Sequence, residues 1–227
     1  MRIGVIGAGH MARALGAGWV RAGHQVMLGG RTPERAVKAA DHIGPGATGG
    51  GLREAATYGE VTLLAVPGEA VTEALLGAGA GDGALNGRPL IDCTNAFAPG
   101  AFAEPPDSFT LTEPALAERV AEVAVGARVV KAFNLCAAEV YESGGWQVVE
   151  GRELGVPMCG NDTWAMELVS GLAEDLGFQA LPAGGLVRAR YLEAATALVV
   201  GMWFAGLDAR TMLPPLTFAA AVPDDDE

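Results

Sequence analysis

The stretch Arg2-Ile3-Gly4-Val5-Ile6-Gly7-Ala8-Gly9-His10-Met11-Ala12 sets the fold. Arg2 to Ile6 is a short apolar run rich in β-branched residues, as a buried strand requires, and the segment His10 to Arg21 has helical apolar spacing. The residues between them fit G-x-G-x-x-A in the strand–turn–helix setting that gives the pattern meaning. Gly7 permits the sharp turn, Gly9 lets the backbone approach a pyrophosphate, and Ala12 keeps the helix close to the sheet. The free N–H groups at the helix start, from Ala8 through His10 and Met11, face negative charge. A glycine-rich turn without a ligand is the competing reading, and the placement favours a dinucleotide.

Outward from that turn, a second strand at Gln25 to Leu28 runs into Gly29-Gly30-Arg31-Thr32. About 20 residues after the glycines, an NAD site presents an Asp or Glu to the ribose hydroxyls. Here that acid is missing. Gly30, Arg31, Thr32 and Arg35 stand in its place, with two guanidinium groups suited to adenine stacking and a 2′-phosphate. NADPH is therefore expected over NADH. Solvated charge alone is the bland alternative, although cations at a helix start oppose its dipole unless an anion lies between. Thr32-Pro33-Glu34 reads as a helix start with a capping hydroxyl.

Further strands are expected at Val61 to Val66, Pro89 to Cys93, Arg128 to Phe133, Val156 to Cys159 and Phe178 to Leu181. Helices are expected at Pro33 to Ala40, Leu52 to Ala56, Glu69 to Leu76, Glu113 to Val125, Thr163 to Leu176 and Leu186 to Gly206. This alternation implies an α/β chain with a Rossmann-type, doubly wound, mostly parallel sheet and a small C-terminal α/β extension. The expected division is a nucleotide domain at 1–135, an extension completing an acceptor pocket at 136–210, and a partly disordered acidic tail at 211–227. Gly44 to Gly51 and Gly77 to Gly87 read as loops, as does Ala96 to Ser108. Ala65-Val66-Pro67 and Asp92-Cys93-Thr94-Asn95 end two strands at the carboxyl edge of the sheet. The first is expected to cover the cofactor, and Asn95 to lie near the nicotinamide ribose. Asp92 reads as a buried structural carboxylate.

Over 227 residues the net charge is -12, which repels nucleic acid and anionic membranes. Cys93, Cys136 and Cys159 are widely spaced and read as reduced thiols, with no metal site expected. The chain opens directly on a strand, without a signal-peptide pattern, so a cytoplasmic protein is expected. Ala194 to Leu207 carries no charge yet is shorter than the ~20 residues of a membrane span, and reads as a buried helix or a homodimer seam.

Val129-Val130-Lys131-Ala132-Phe133-Asn134 resembles the coenzyme F420-dependent NADP oxidoreductases. Their nucleotide domain is similar to those of the STEAP metalloreductases and of pyrroline-5-carboxylate reductase. Gly7 to Ala12, Arg31, Leu90 to Asn95, Val156 to Asp162 with Leu176-Gly177-Phe178, and Pro182 to Leu186 with Arg190 to Glu193 also fit. The resemblance covers residues 1 to about 205. It implies direct hydride transfer between NADP(H) and the deazaflavin F420, or a flavin, by juxtaposed rings, with no acid, base or metal. It also implies that Asn134 contacts nicotinamide or acceptor, and that Asn134, Leu135, Gly184, Gly185 and Leu186 line the acceptor pocket. Leu135 and Gly30 depart from the family pattern, as does the segment beyond Leu207. Lys131 is expected to snorkel or meet a carboxylate.

Two other function classes remain open. A reductase of small imines or carbonyl compounds needs a proton donor, for which Tyr191, Thr94 and His10 are available. A non-catalytic NADPH sensor would use the apolar helix around Met202, Trp203 and Phe204 as a docking surface.

Overall fold

The computed structural model describes residues 1–142, 148–149 and 151–212. In chain order the elements are β1 (Arg2–Ile6), α1 (His10–Arg21), β2 (Gln25–Gly30), α2 (Pro33–Ile43), β3 (Ala47–Gly51), α3 (Leu52–Tyr58), β4 (Val61–Leu64) and α4 (Val71–Gly77). They continue with β5 (Pro89–Asp92), α5 (Leu116–Val123), β6 (Arg128–Lys131), α6 (Ala138–Glu142), β7 (Val148–Val149), β8 (Arg152–Glu153), β9 (Gly155–Gly160), α7 (Thr163–Glu174), β10 (Gln179–Pro182) and α8 (Ala189–Phe204). Eight strands form one sheet in the order β10-β9-β6-β5-β4-β1-β2-β3, and β7 and β8 pair separately. Neighbours from β3 to β6 are parallel. β9 lies antiparallel to β6 and parallel to β10. The strand order reverses between β1 and β4, which opens a crevice at their carboxyl ends, the switch point of a doubly wound sheet.

Two expectations about loops are corrected. Ala47–Gly51 is a strand, paired residue for residue with β2. A Cβ on Gly49 would collide with the backbone of Ala36 and Val37 in α2. Close approach of helix and strand thus requires glycine where propensity argues for a loop. Between Gly77 and Gly87, a 3-10 turn at Ala80–Asp82 is framed by Gly79 and Gly83, both at positive φ. The helices expected from Glu69 and Leu186 begin as 3-10 turns, and α5 is shorter than expected at both ends. The Thr32 hydroxyl makes no cap bond, whereas Asp162 accepts from the Ala165 N–H at 2.8 Å. The tail from 213 onward lies outside the described residues.

Helices cover both faces. On one, Leu15 and Trp19 of α1 pack with Val169 and Leu172 of α7, and Trp19 Nε1 donates to the Leu172 carbonyl at 3.0 Å. On the other, Val71 and Leu75 of α4 join Leu116 and Val120 of α5 and Ala189 of α8. Leu198, Trp203, Phe204 and Leu207 stay exposed at the far end of the apolar run. Among the described residues no helix is long and apolar enough to cross a membrane.

Lys131, fully buried, sits 3.0 Å from Asp92 Oδ2 and 2.8 Å from Glu193 Oε1, and donates to the Thr94 carbonyl at 2.6 Å. Glu193 also accepts from the N–H groups of Leu116 and Ala117 at 2.8 and 3.0 Å, at the start of α5. Asp92 Oδ1 accepts from the Thr94 N–H and hydroxyl at 2.9 and 2.6 Å. Burial alone would lower the lysine pKa, but Asp92 and then Glu193 outweigh it, holding the pKa above its ordinary 10.5. The stabilisation is therefore complete below that ordinary value and is lost as pH rises through the raised one. Lys131→Met should strand two buried carboxylates and lower stability by about 3–5 kcal/mol, measured by urea unfolding at neutral pH.

Candidate functional site

The carboxyl ends of β1, β2 and β4 surround a cleft of about 290 Å³. Its base is the turn after β1. Gly7 has a φ of 133°, and a Cβ there would collide with the Ala65 carbonyl oxygen, so the turn admits only glycine. Gly9 lines the same cleft with nothing within 4 Å of where its Cβ would stand. No side chain caps α1 and no acid occupies its first turn. The positive end of this helix thus meets a cleft whose lining holds no acidic side chain, a cradle of the sign that a pyrophosphate requires.

One wall holds Gly30, Arg31, Thr32 and Arg35, and the other Ala65, Val66 and Pro67. Arg31 Nη1 lies 3.5 Å from Glu73 Oε2 of α4, with both side chains about two-thirds exposed. An exposed pair of this kind is weakly bound, and an incoming phosphate can displace it. Gly29, Leu52, Ala70 and Ala74 also line the cleft but were not read from the sequence. Their sequence signals are a doubled glycine at the end of β2 and small residues four apart after Ala65-Val66-Pro67.

Four other expected contacts lie outside this lining. His10, at the mouth, stands 3.0 Å from Glu142 and 3.6 Å from Glu139 of α6. Met11 is half-buried against the core. Asn95 and Asn134 face each other at the ends of β5 and β6. Asn95 Nδ2 donates to the Asn134 carbonyl at 2.8 Å, and Asn134 Nδ2 to Asn95 Oδ1 at 3.2 Å. Beside them, the segment after β5 is closed by a Phe97–Leu111 bridge, and Phe97, Phe102 and Phe109 make edge contacts with 4.9–6.2 Å centroid distances. Phe204 of α8 joins at 5.0 Å from Phe102.

The expected floor of the acceptor pocket is not brought to Asn134. Because β9 runs against β6, β10 carries the chain to the opposite edge of the sheet, where the Gly184 carbonyl accepts from the Gly160 N–H at 3.1 Å. The Leu186 N–H is held there by Asn161 Oδ1 at 2.9 Å, and its side chain is buried in the core. Leu135 remains beside Asn134, half-buried. Among the candidate proton donors, the Thr94 hydroxyl is bound to Asp92. Tyr191 is exposed, with the Arg188 guanidinium 5.7 Å from its ring.

Residues 2–96 match the family model described as NADP oxidoreductase, coenzyme F420-dependent. The F420-dependent NADP reductase of Methanothermobacter marburgensis is 30% identical over 213 residues, covering 89% of this chain and 92% of that protein. The chain belongs to the coenzyme F420-dependent NADP oxidoreductase family. It is an NADP(H)-dependent oxidoreductase. Rat metalloreductase STEAP3 is 29% identical over 205 residues, covering 89% of this chain but 38% of that protein. A structure from Arthrobacter sp. FB24, provisionally assigned as an F420-dependent NADP reductase, superposes with a TM-score of 0.79 at 26% identity, covering 91% of this chain and 96% of that one. An imine reductase from Streptomyces aurantiacus shares the fold, with a TM-score of 0.62 at 21% identity, covering 96% of this chain and 72% of that one.

The two glycines differ in what an added side chain would meet, backbone at Gly7 and open cleft at Gly9. Gly7→Ala should cost about 1–3 kcal/mol in urea unfolding through strain and collision. Gly9→Asp should leave unfolding within about 0.5 kcal/mol, since Asp caps helices well, yet weaken NADPH binding about 100-fold by calorimetry through charge and lost space.

Proposed function

We propose that the protein passes a hydride between NADPH and the deazaflavin coenzyme F420, with a flavin as the nearest alternative acceptor. The end-to-end likeness to reductases named for F420 carries this reading, since it spans both the nucleotide half and the extension. NADPH supplies the hydride from nicotinamide C4. Arg31 and Arg35 would hold the 2′-phosphate, the α1 start with Gly9 the pyrophosphate, and Ala65 to Pro67 the near side of the cofactor. Residues 1–135 would thus hold the dinucleotide, and 136–210 would complete the acceptor side through α8.

Two rings held in contact away from water need positioning rather than acid–base help. The phenylalanine cluster beside Asn95 supports such an apolar setting. A reductase of small imines or carbonyls is the second reading, favoured by the fold shared with imine reductases. Against it, the Thr94 hydroxyl is spent on Asp92, and His10 lies between two glutamates.

Mixing the protein with NADPH and F420 should bleach the visible band of F420. Unchanged F420 and FMN spectra, together with NADPH oxidation by a cyclic imine, would transfer the proposal to the second reading. Arg31→Ala should raise the Kd for NADPH about tenfold while leaving that for NADH nearly unchanged, as read by fluorescence titration.

A further inference from the structure

An NAD site carries an acid at the end of its second strand, and this chain has none there. A carboxylate reaches Arg31 all the same. Glu73, in the first turn of α4, brings its Oε2 to 3.5 Å from Arg31 Nη1, and the pair joins the β2 side of the cleft to the side that follows β4. Ala70 and Ala74, on either side of Glu73 in sequence, line the cleft together with Arg31 and Arg35. Arg35 is in no ion pair among the described residues. Of the two guanidinium groups on that wall, one is therefore held and the other is not.

Packing, rather than the ion pair, sets where Glu73 stands. Val71, Ala74 and Leu75 of α4 are buried in the core. The Arg119 guanidinium of α5, itself 2.6 Å from Glu113, donates to the Thr72 hydroxyl at 2.9 Å and to the Gly68 carbonyl at 3.2 Å. The backbone that carries Glu73 is thereby pinned, and its exposed side chain leaves Arg31 by rotating about its own bonds. A carboxylate so placed works against a 2′-phosphate twice. It competes for Arg31 before the nucleotide arrives, and it repels the phosphate once Arg31 has changed partners. NADH has a hydroxyl at that position and meets neither effect.

We propose that Glu73 is a specificity-determining residue: its carboxylate clasps Arg31 across the cleft, yields it to the 2′-phosphate, and so limits how far NADPH is preferred over NADH. The inference rests on the reading of Arg31 as a phosphate contact and is independent of the hydride acceptor. The clasp is one that an anion can open, because both side chains are about two-thirds exposed. It also runs counter to Arg31 and Arg35, so the selectivity of the cleft is the difference between two opposed sets of charges.

Fluorescence titration of the full chain with NADPH and with NADH tests the proposal. Glu73→Gln keeps the shape of the side chain and removes its charge. It should lower the Kd for NADPH about fivefold and leave that for NADH within about twofold of wild type. Glu73→Asp, which keeps the charge, should stay within about twofold of wild type for both. The gain from Glu73→Gln should shrink below about twofold in roughly 0.5 M NaCl, where exposed charges are screened over a few ångströms. An unchanged or raised Kd for NADPH in Glu73→Gln overturns the proposal. Equal tightening of NADH does so too, since it would assign the effect to the shared diphosphate, as does a Glu73→Asp variant that matches Glu73→Gln. If Arg31→Ala weakens NADPH while Glu73→Gln changes nothing, the clasp falls and the phosphate reading stands. If neither substitution moves the Kd for NADPH, both fall.

Discussion

One buried ammonium group organises the half of the molecule opposite the glycine turn. Lys131 draws Asp92 from β5 and Glu193 from α8 onto β6, and Glu193 in turn holds the start of α5. Two carboxylates around one cation would be an unstable excess of negative charge in a dry core. The amide donors of Thr94, Leu116 and Ala117 spread that charge, as buried ions require. Lys131 also fixes the Thr94 carbonyl, so the direction in which the chain leaves β5 towards Asn95 is set by the same group.

The two ends of the crevice are built by contrasting means. Near Arg31 the charges are exposed and loosely paired, which suits a phosphate that arrives from and leaves to water. Near Asn134 the polar groups are buried and hydrogen-bonded to one another across three elements. Between them, α1 contributes backbone dipoles that need no side-chain ordering when an anion binds.

Most of this architecture was legible in the sequence because the governing signals are local. The turn at Gly7 to Ala12, the span of α1 and the strands β1, β4, β5 and β6 follow from periodicity and from glycines at fixed offsets. β3 was not legible, because Ala47-Thr48-Gly49-Gly50-Gly51 is a strand only through its closeness to α2, a tertiary fact. The misplacement of Gly184 to Leu186 has a similar origin. Residue patterns mark a strand at β9 but carry no sign of its direction, and direction decides which edge the following turn reaches. Lys131 read as a residue that snorkels or meets one carboxylate. Its second partner comes from 62 positions later, beyond the reach of local pattern.

The reversal at β9 has a consequence for how such a protein can diverge. Launching α8 from the far edge makes the helix run along one face of the sheet before its last turns meet Phe102 and Phe109. Glu193 in its second turn fixes its path, while Trp203 and Phe204 at its end are tied to no buried charge. Changes in those last turns, and in the aromatic segment they touch, can accumulate without disturbing either the Lys131 cluster or the lining of the cleft at the glycine turn.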